Sequence, residues 1–196
     1  IIKDRLYVEK TDSKLRRSAQ TVMVEILGFL VRAISPVLSF TSEEIWEKMP
    51  EVLKDGESVH LSKWSETKSE YIDDELNAKW NKIMELRKEV YKEIEKARQE
   101  KVVGLSLDAK VVLSINNKDF EFIKDIAIND LEDYFIVSKI NLETEENMVS
   151  TEIEGISVKV SKSDGEKCER CWKYDELGTD PKHLDVCPRC AKVLNS

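Results

Sequence analysis

The sequence predicts an α+β chain in three parts: a helical bundle over residues 1–101, a small α/β unit over 102–163, and a terminal module over 164–196 built on four cysteines. Three observations predict it. Apolar residues recur at spacings of three and four over 12–34 and again over 73–101, as amphipathic helices require. After Gly104 the texture becomes β-rich. All four cysteines then fall late in the chain, as two Cys-x-x-Cys pairs.

The first helix is marked by Leu15, Ala19, Val22, Ile26, Phe29, Leu30 and Ala33, which form one apolar stripe, and Pro36 stops it. Thr41-Ser42-Glu43-Glu44 reads as a capping box opening a second helix, with Ile45 and Trp46 facing inward and Pro50 closing it. A polar loop follows, from Glu51 to roughly Ser62. In the long helix, Leu76, Trp80, Ile83, Leu86, Val90, Ile94 and Ala97 mark the buried side, while lysines and arginines decorate the rest. At about 1.5 Å per residue it would run on the order of 40 Å, enough to reach along a nucleic-acid stem. Gly104 is expected to end it, and residues 107–115, 136–142 and 156–160 are strand candidates. Short helices are expected at 118–127 and 130–135.

The four cysteines carry the chemistry. Cys168-x-x-Cys171 and Cys187-x-x-Cys190 each make a tight knuckle aiming two thiolates at one centre, and the fifteen residues between bring the pairs together. Four thiolates at roughly 2.3 Å complete a tetrahedron and leave no position for water or substrate, so one structural Zn2+ is expected, not a catalytic one. Residues 161–196 hold few large apolar groups, and a metal can supply the folding energy that so small a segment lacks. Disulfides would need an oxidising compartment, and nothing in the sequence signals secretion. A dithiol redox pair lacks the thioredoxin-like strand pattern. Spacing alone does not separate zinc from iron–sulfur ligation.

Net charge is −8 over 196 residues, which as a total opposes a polyanion. Its distribution is uneven. Residues 1–34 carry seven basic groups against four acidic, and 76–101 eight against five, inside an otherwise acidic chain. Any nucleic-acid contact must be local and shape-directed. Solvated helix faces would give the same counts. Trp172, next to a cysteine ligand, either fills the small core or offers a stacking face for an unpaired base beside Arg170. No stretch approaches the roughly 18 apolar residues of a membrane span, so no membrane partner is expected. Without a Met before Ile1, the chain reads as a piece of a longer protein.

Cys168-Glu169-Arg170-Cys171-Trp172 with Cys187-Pro188-Arg189-Cys190 resembles the C-terminal zinc finger of bacterial isoleucyl-tRNA synthetases, although a related finger ends the formamidopyrimidine-type DNA glycosylases. Lys3-Asp4-Arg5-Leu6-Tyr7 and Arg16-Arg17-Ser18-Ala19-Gln20-Thr21 resemble the opening of the anticodon-binding bundle in the same synthetases. The run from Pro36 to Trp46, Ser58-Val59-His60-Leu61 and Val103-Gly104-Leu105-Ser106-Leu107-Asp108-Ala109 are similar to further segments of these class I enzymes, with Leu105 standing where Lys is common. The resemblance covers nearly the whole chain.

It implies the tRNA-binding part of an ATP-dependent isoleucine–tRNA ligase, with Arg170 and Trp172 at an anticodon base and Arg16, Arg17, Arg87, Lys88 and Arg98 at phosphates. ATP and Mg2+ would belong to other domains of the parent enzyme, because the His-x-Gly-His motif, the Lys-Met-Ser-Lys-Ser loop and the editing insertion are missing here. This part alone would not be catalytic. The expected partner is the tRNA for isoleucine, not DNA, in a cytoplasmic monomer. A freestanding zinc-containing module that binds RNA or protein is the rival. A glycosylase piece would need an N-terminal catalytic Pro and a DNA-reading helical pair, and neither is found.

Overall fold

The computed structural model describes residues 2–66 and 68–195. They form two compact units, one of residues 11–73 and one of residues 1–10 with 74–196. That cut differs from the three parts read along the sequence. The reason lies in two helices, α1 (Lys3–Tyr7) and α4 (Asp74–Gln99), which pack with the sheet and the cysteine module.

The smaller unit holds α2 (Lys14–Ile34) and α3 (Ser39–Lys48), followed by short 3-10 turns at Glu51–Leu53 and Val59–Leu61. Ser13 caps α2 by accepting from the Arg16 amide. The expected capping box at Thr41 and Glu44 does not form. Helical hydrogen bonding continues through the bend, Leu38 N–H donating to the Ile34 carbonyl, so α3 starts two residues early and Thr41 lies inside it. The carboxylate that caps is Glu43, which accepts from the Ser58 hydroxyl at 2.7 Å and the Val59 amide at 3.1 Å. The core here is small: Val31, Trp46, Met49 and Val59, with the Trp46 indole N–H donating to the Gly56 carbonyl at 3.0 Å. The stripe expected to be buried along α2 is largely open, Leu15, Val22, Ile26, Phe29 and Leu30 each about half exposed. Helical periodicity reports an apolar face; it does not supply the element that covers it.

In the larger unit the central strand is β1 (Ala109–Ile115), buried almost throughout. It pairs in parallel with β2 (Lys139–Leu142), and a parallel pair requires a crossover. A 3-10 stretch, Lys118–Asp125, and α5 (Ile128–Phe135) supply it. On the other side β4 (Ile156–Lys162) runs antiparallel to β1, with β3 (Val149–Ser150) at the edge, giving the order β2-β1-β4-β3. Leu86, Val90, Ile94 and Ala97 of α4 and Leu131 and Phe135 of α5 close one core with Val111, Leu113, Ile156 and Val158. The buried side of α4 agrees with the sequence pattern from Ile83 onward. Leu76, near its start, is half exposed. Glu89 is the unexpected buried group on this helix, paired with Lys92 at 2.7 Å and accepting from the Glu152 amide at 3.0 Å.

The chain then enters the cysteine module through the two-stranded hairpin β5 (Glu166–Lys167) and β6 (Tyr174–Asp175), and ends in α6 (Pro188–Leu194). Gly165 leads into the hairpin at φ +88°, where an added Cβ would lie 2.4 Å from the Asp175 carbonyl oxygen. Only glycine fits there. No helix among the described residues is long and apolar enough to cross a membrane.

Candidate metal centre and nucleic-acid interface

Each cysteine pair is held by its own backbone. In the first knuckle the Trp172 amide donates to the Cys168 carbonyl and the Cys168 amide to the Lys173 carbonyl, both at 2.9 Å. In the second, Cys187 caps α6, Pro188 occupies its first position, and the Ala191 amide returns to the Cys187 carbonyl at 3.0 Å. The Cys187 amide donates to the Cys168 sulfur at 3.3 Å, which joins the knuckles.

The four sulfurs lie within 4.8 Å of one another, and Cys171 and Cys187 are 3.8 Å apart. Thiolates about 2.3 Å from a shared tetrahedral ion would sit roughly 3.8 Å apart along each edge. A disulfide needs about 2.05 Å, and all four cysteines are free. They are fully buried, with Val8, Leu177 and Val186 packed round them. Hydrogen bonds from Cys171 and then Cys190 push the Cys187 thiol down to about 3. The same crowding, Cys171 foremost, pushes Cys190 up. Several sulfurs cannot all become anionic in so dry a space without a cation, and a divalent ion removes that conflict. The donor set therefore fits a closed, structural zinc site. Among the described residues it is the one group of this kind.

Contacts far apart in sequence fix the module. Asp4 on α1 is buried and paired with the Arg189 guanidinium, and Val8 seals the cysteine cluster from the same segment. Burial alone would raise the Asp4 carboxyl, but the hydrogen bond and charge of Arg189, with Lys173 and Lys3 beyond, hold it below its ordinary range. Lys173, also buried, reaches Asp133 at 2.7 Å and Glu132 at 3.2 Å on α5. Burial keeps the Glu132 carboxyl above its ordinary value despite that partner. Ser138 completes the join, its hydroxyl donating to the Leu107 carbonyl and accepting from the Tyr174 amide at 2.7 Å.

Trp172 projects from the first knuckle. Its backbone is left-handed, φ 69°, and its side chain is 53% exposed, whereas Trp46 is wholly buried. The core-filling alternative for Trp172 is thereby removed. Its cationic neighbours are Lys3, 4.9 Å from the ring centroid, and Lys167, at 5.9 Å. Arg170 is half buried instead, with its Nη1 enclosed and without a hydrogen-bond partner.

The other basic candidates are scattered. Arg87 donates to the Tyr134 carbonyl at 2.9 Å and stacks on Tyr91, tying α4 to α5. Arg98 donates to the Gly104 carbonyl and pairs with Glu95. Lys88 is exposed on α4. Arg16 and Arg17 lie on the first turn of α2 in the smaller unit, where Arg17 donates to Gln20. Sequence reasoning missed Glu132 and Lys167, and it gave no partner to Lys173 or to Lys3 and Asp4, which it met only within a family motif. No local pattern could have joined Lys3 to the indole, because it lies 168 residues from its carbonyl partner Cys171.

Two family models match. Residues 1–113 match the anticodon-binding domain of tRNA ligase, and 165–193 match the zinc finger found in FPG and IleRS. Among curated relatives, the isoleucine–tRNA ligase of Kosmotoga olearia is 47% identical over 196 residues, 99% of this chain and 21% of the relative. The isoleucine–tRNA ligase of Carboxydothermus hydrogenoformans is 45% identical over 100% of this chain and 21% of its own length, and that of Thermotoga petrophila 42% over 99% and 21%. The chain thus spans about a fifth of the length of the relatives it matches. With more than half of its length in the first of these families, the chain belongs to the anticodon-binding domains of tRNA ligases.

Proposed function

We propose that the chain is the tRNA-holding part of an isoleucine–tRNA ligase, binding the anticodon stem-loop of the isoleucine tRNA so that the distant acceptor end enters a catalytic domain elsewhere in the protein. One observation carries this reading: the similarity to enzymes of that name runs through both the helical part and the finger, over 99% or more of the chain. ATP and Mg2+ would act in the remaining four-fifths, and the protein would work as a cytoplasmic monomer. Residues 1–101 would serve as the anticodon-binding bundle, 102–163 as a junction and 164–196 as the finger.

The physical role is remote binding energy. Contacts far from the reacting atoms speed the chemical step when they fix the substrate's position as well as hold it. Zinc, when bound, supplies no reaction chemistry in a closed four-sulfur site; it holds the two knuckles, and with them Trp172. The exposed indole offers a base a stacking face worth about 1–3 kcal/mol. Arg170 lies on the same knuckle, and Arg16, Arg17, Arg87, Lys88 and Arg98 are the proposed phosphate contacts. Of these, Arg17, Lys88 and Arg98 are exposed, while Arg87 must leave its ties to Tyr134 and Tyr91 to serve.

In the full-length protein, Trp172→Ala is expected to lower kcat/KM for tRNA charging by roughly tenfold to a hundredfold. Isoleucine-dependent ATP–pyrophosphate exchange without tRNA should be unchanged. Equal loss of both activities would identify a folding defect and remove the anticodon role.

A further inference from the structure

We propose that Lys3 and Lys167 complete a single-nucleotide site on Trp172, with Lys167 as its phosphate contact and Lys3 as its positioning residue. The inference rests on the reading of this finger as RNA-facing, and it assigns to that site two residues that the cysteine pattern does not mark.

The two lysines differ in how they are held. Lys3 Nζ donates to the Cys171 carbonyl at 2.9 Å, lies 3.5 Å from the Asp4 carboxylate and sits 4.9 Å from the indole centroid. Asp4 is itself clamped by Arg189 on α6. The Cys171 carbonyl belongs to the peptide leading directly into Trp172, the residue with the left-handed backbone. One ammonium thus grips both the backbone that aims the ring and the ring itself. A cation over an indole is attracted by the negative face of the π system, which sets the orientation of the plane.

Lys167 is placed otherwise. It is exposed at the end of β5, one residue before Cys168, and its ammonium lies 5.9 Å from the same centroid, with no hydrogen bond or ion pair of its side chain among the described residues. A base laid on the indole carries its phosphate just beyond the ring edge, and an untethered ammonium at that distance can turn to meet it. Aromatic stacking combined with nearby cations is the usual means of holding a single-stranded nucleotide. The module needs such a local arrangement, because over residues 161–196 its basic and acidic groups balance, seven against seven.

The test is titration of the zinc-loaded protein with an RNA stem-loop carrying the isoleucine anticodon, over a range of salt concentrations, with zinc content measured for each variant. Trp172→Ala tests the underlying reading, and weakening by about tenfold or more is expected. Lys167→Gln should weaken binding severalfold and lower the slope of log K against log salt by about 0.7, the value for one single-strand phosphate contact. Lys3→Gln should shrink the effect of Trp172→Ala in the double variant, and Lys3→Arg should restore it. If Trp172→Ala weakens binding while Lys167→Gln leaves affinity and slope unchanged, the inference fails and the reading of the finger survives. If Trp172→Ala has no effect, the reading itself fails. Should Lys3→Gln lose zinc, Lys3→Arg and Lys167→Gln still decide. An altered slope with Lys167→Gln supports the site, and a change in thermal stability alone overturns it.

Discussion

The α/β core and the cysteine module sit in the same compact unit but are held by different forces. Around β1, seventeen buried side chains from two helices, three strands, the 3-10 stretch and the adjoining loops make one apolar cluster, and fully burying a Leu or Phe contributes about 1.5–3 kcal/mol. Around the cysteines, the buried set is four sulfurs and Val8, and the rest of the hold comes from ions and hydrogen bonds: Asp4 with Arg189, Lys173 with Glu132 and Asp133, Ser138 with Tyr174. A sheet with helices packed on it can bury its way to stability. A finger of about thirty residues cannot, and it exchanges apolar area for a metal and for charges anchored in its neighbours.

Removing zinc should separate the two regions most sharply. With a strong chelator at neutral pH, or in Cys187→Ser, amides of residues 168–190 are expected to lose protection from hydrogen exchange while those of β1 keep it; structural zinc in such fingers supplies about 10–16 kcal/mol of apparent binding energy. Equal loss of protection in both would mean that they fold as one unit. Phe135→Ala is the reciprocal cut. It leaves a cavity in the apolar core and should cost about 3–5 kcal/mol in denaturant unfolding, with zinc affinity little changed.

Glu89 gives the smallest of the three effects. Burial would raise its carboxyl, but the hydrogen bond from Lys92, the Glu152 amide and nearby Lys96 hold it below its ordinary value of 4.5. A depressed carboxyl stabilises above its unfolded pKa, and that contribution is lost as pH falls through the lower, folded pKa. Glu89→Gln should therefore cost about 1–3 kcal/mol near neutrality and converge with the parent protein on acidification, read from unfolding midpoints as a function of pH.

How much of this was legible beforehand depends on the range of the signal. The cysteine spacing is local, and it led directly to the sulfur cluster. The inner side of α4 from Ile83 to Ala97 followed from periodicity, and the strand candidates at 107–115, 136–142 and 156–160 overlap the observed strands at 109–115, 139–142 and 156–162. The start of α3 did not, because the bend after α2 keeps hydrogen-bonding and needs no side-chain cap. Nor did the open face of α2, since a stripe records which side is apolar without naming its cover. The partners of Trp172 were invisible for a plainer reason. One of them lies near the other end of the chain.

That separation bears on the order of assembly. Asp4 and Val8 must find Arg189 and the cysteines some 180 residues later, a closure whose entropy is offset only once the last knuckle exists. During synthesis the buried Asp4 carboxylate has no Arg189 partner until α6 has left the ribosome. The seat of Trp172, gripped through Lys3 and the Asp4 clamp, is therefore among the last features to set, so a nascent chain with its sheet already folded would still present an unfinished indole platform.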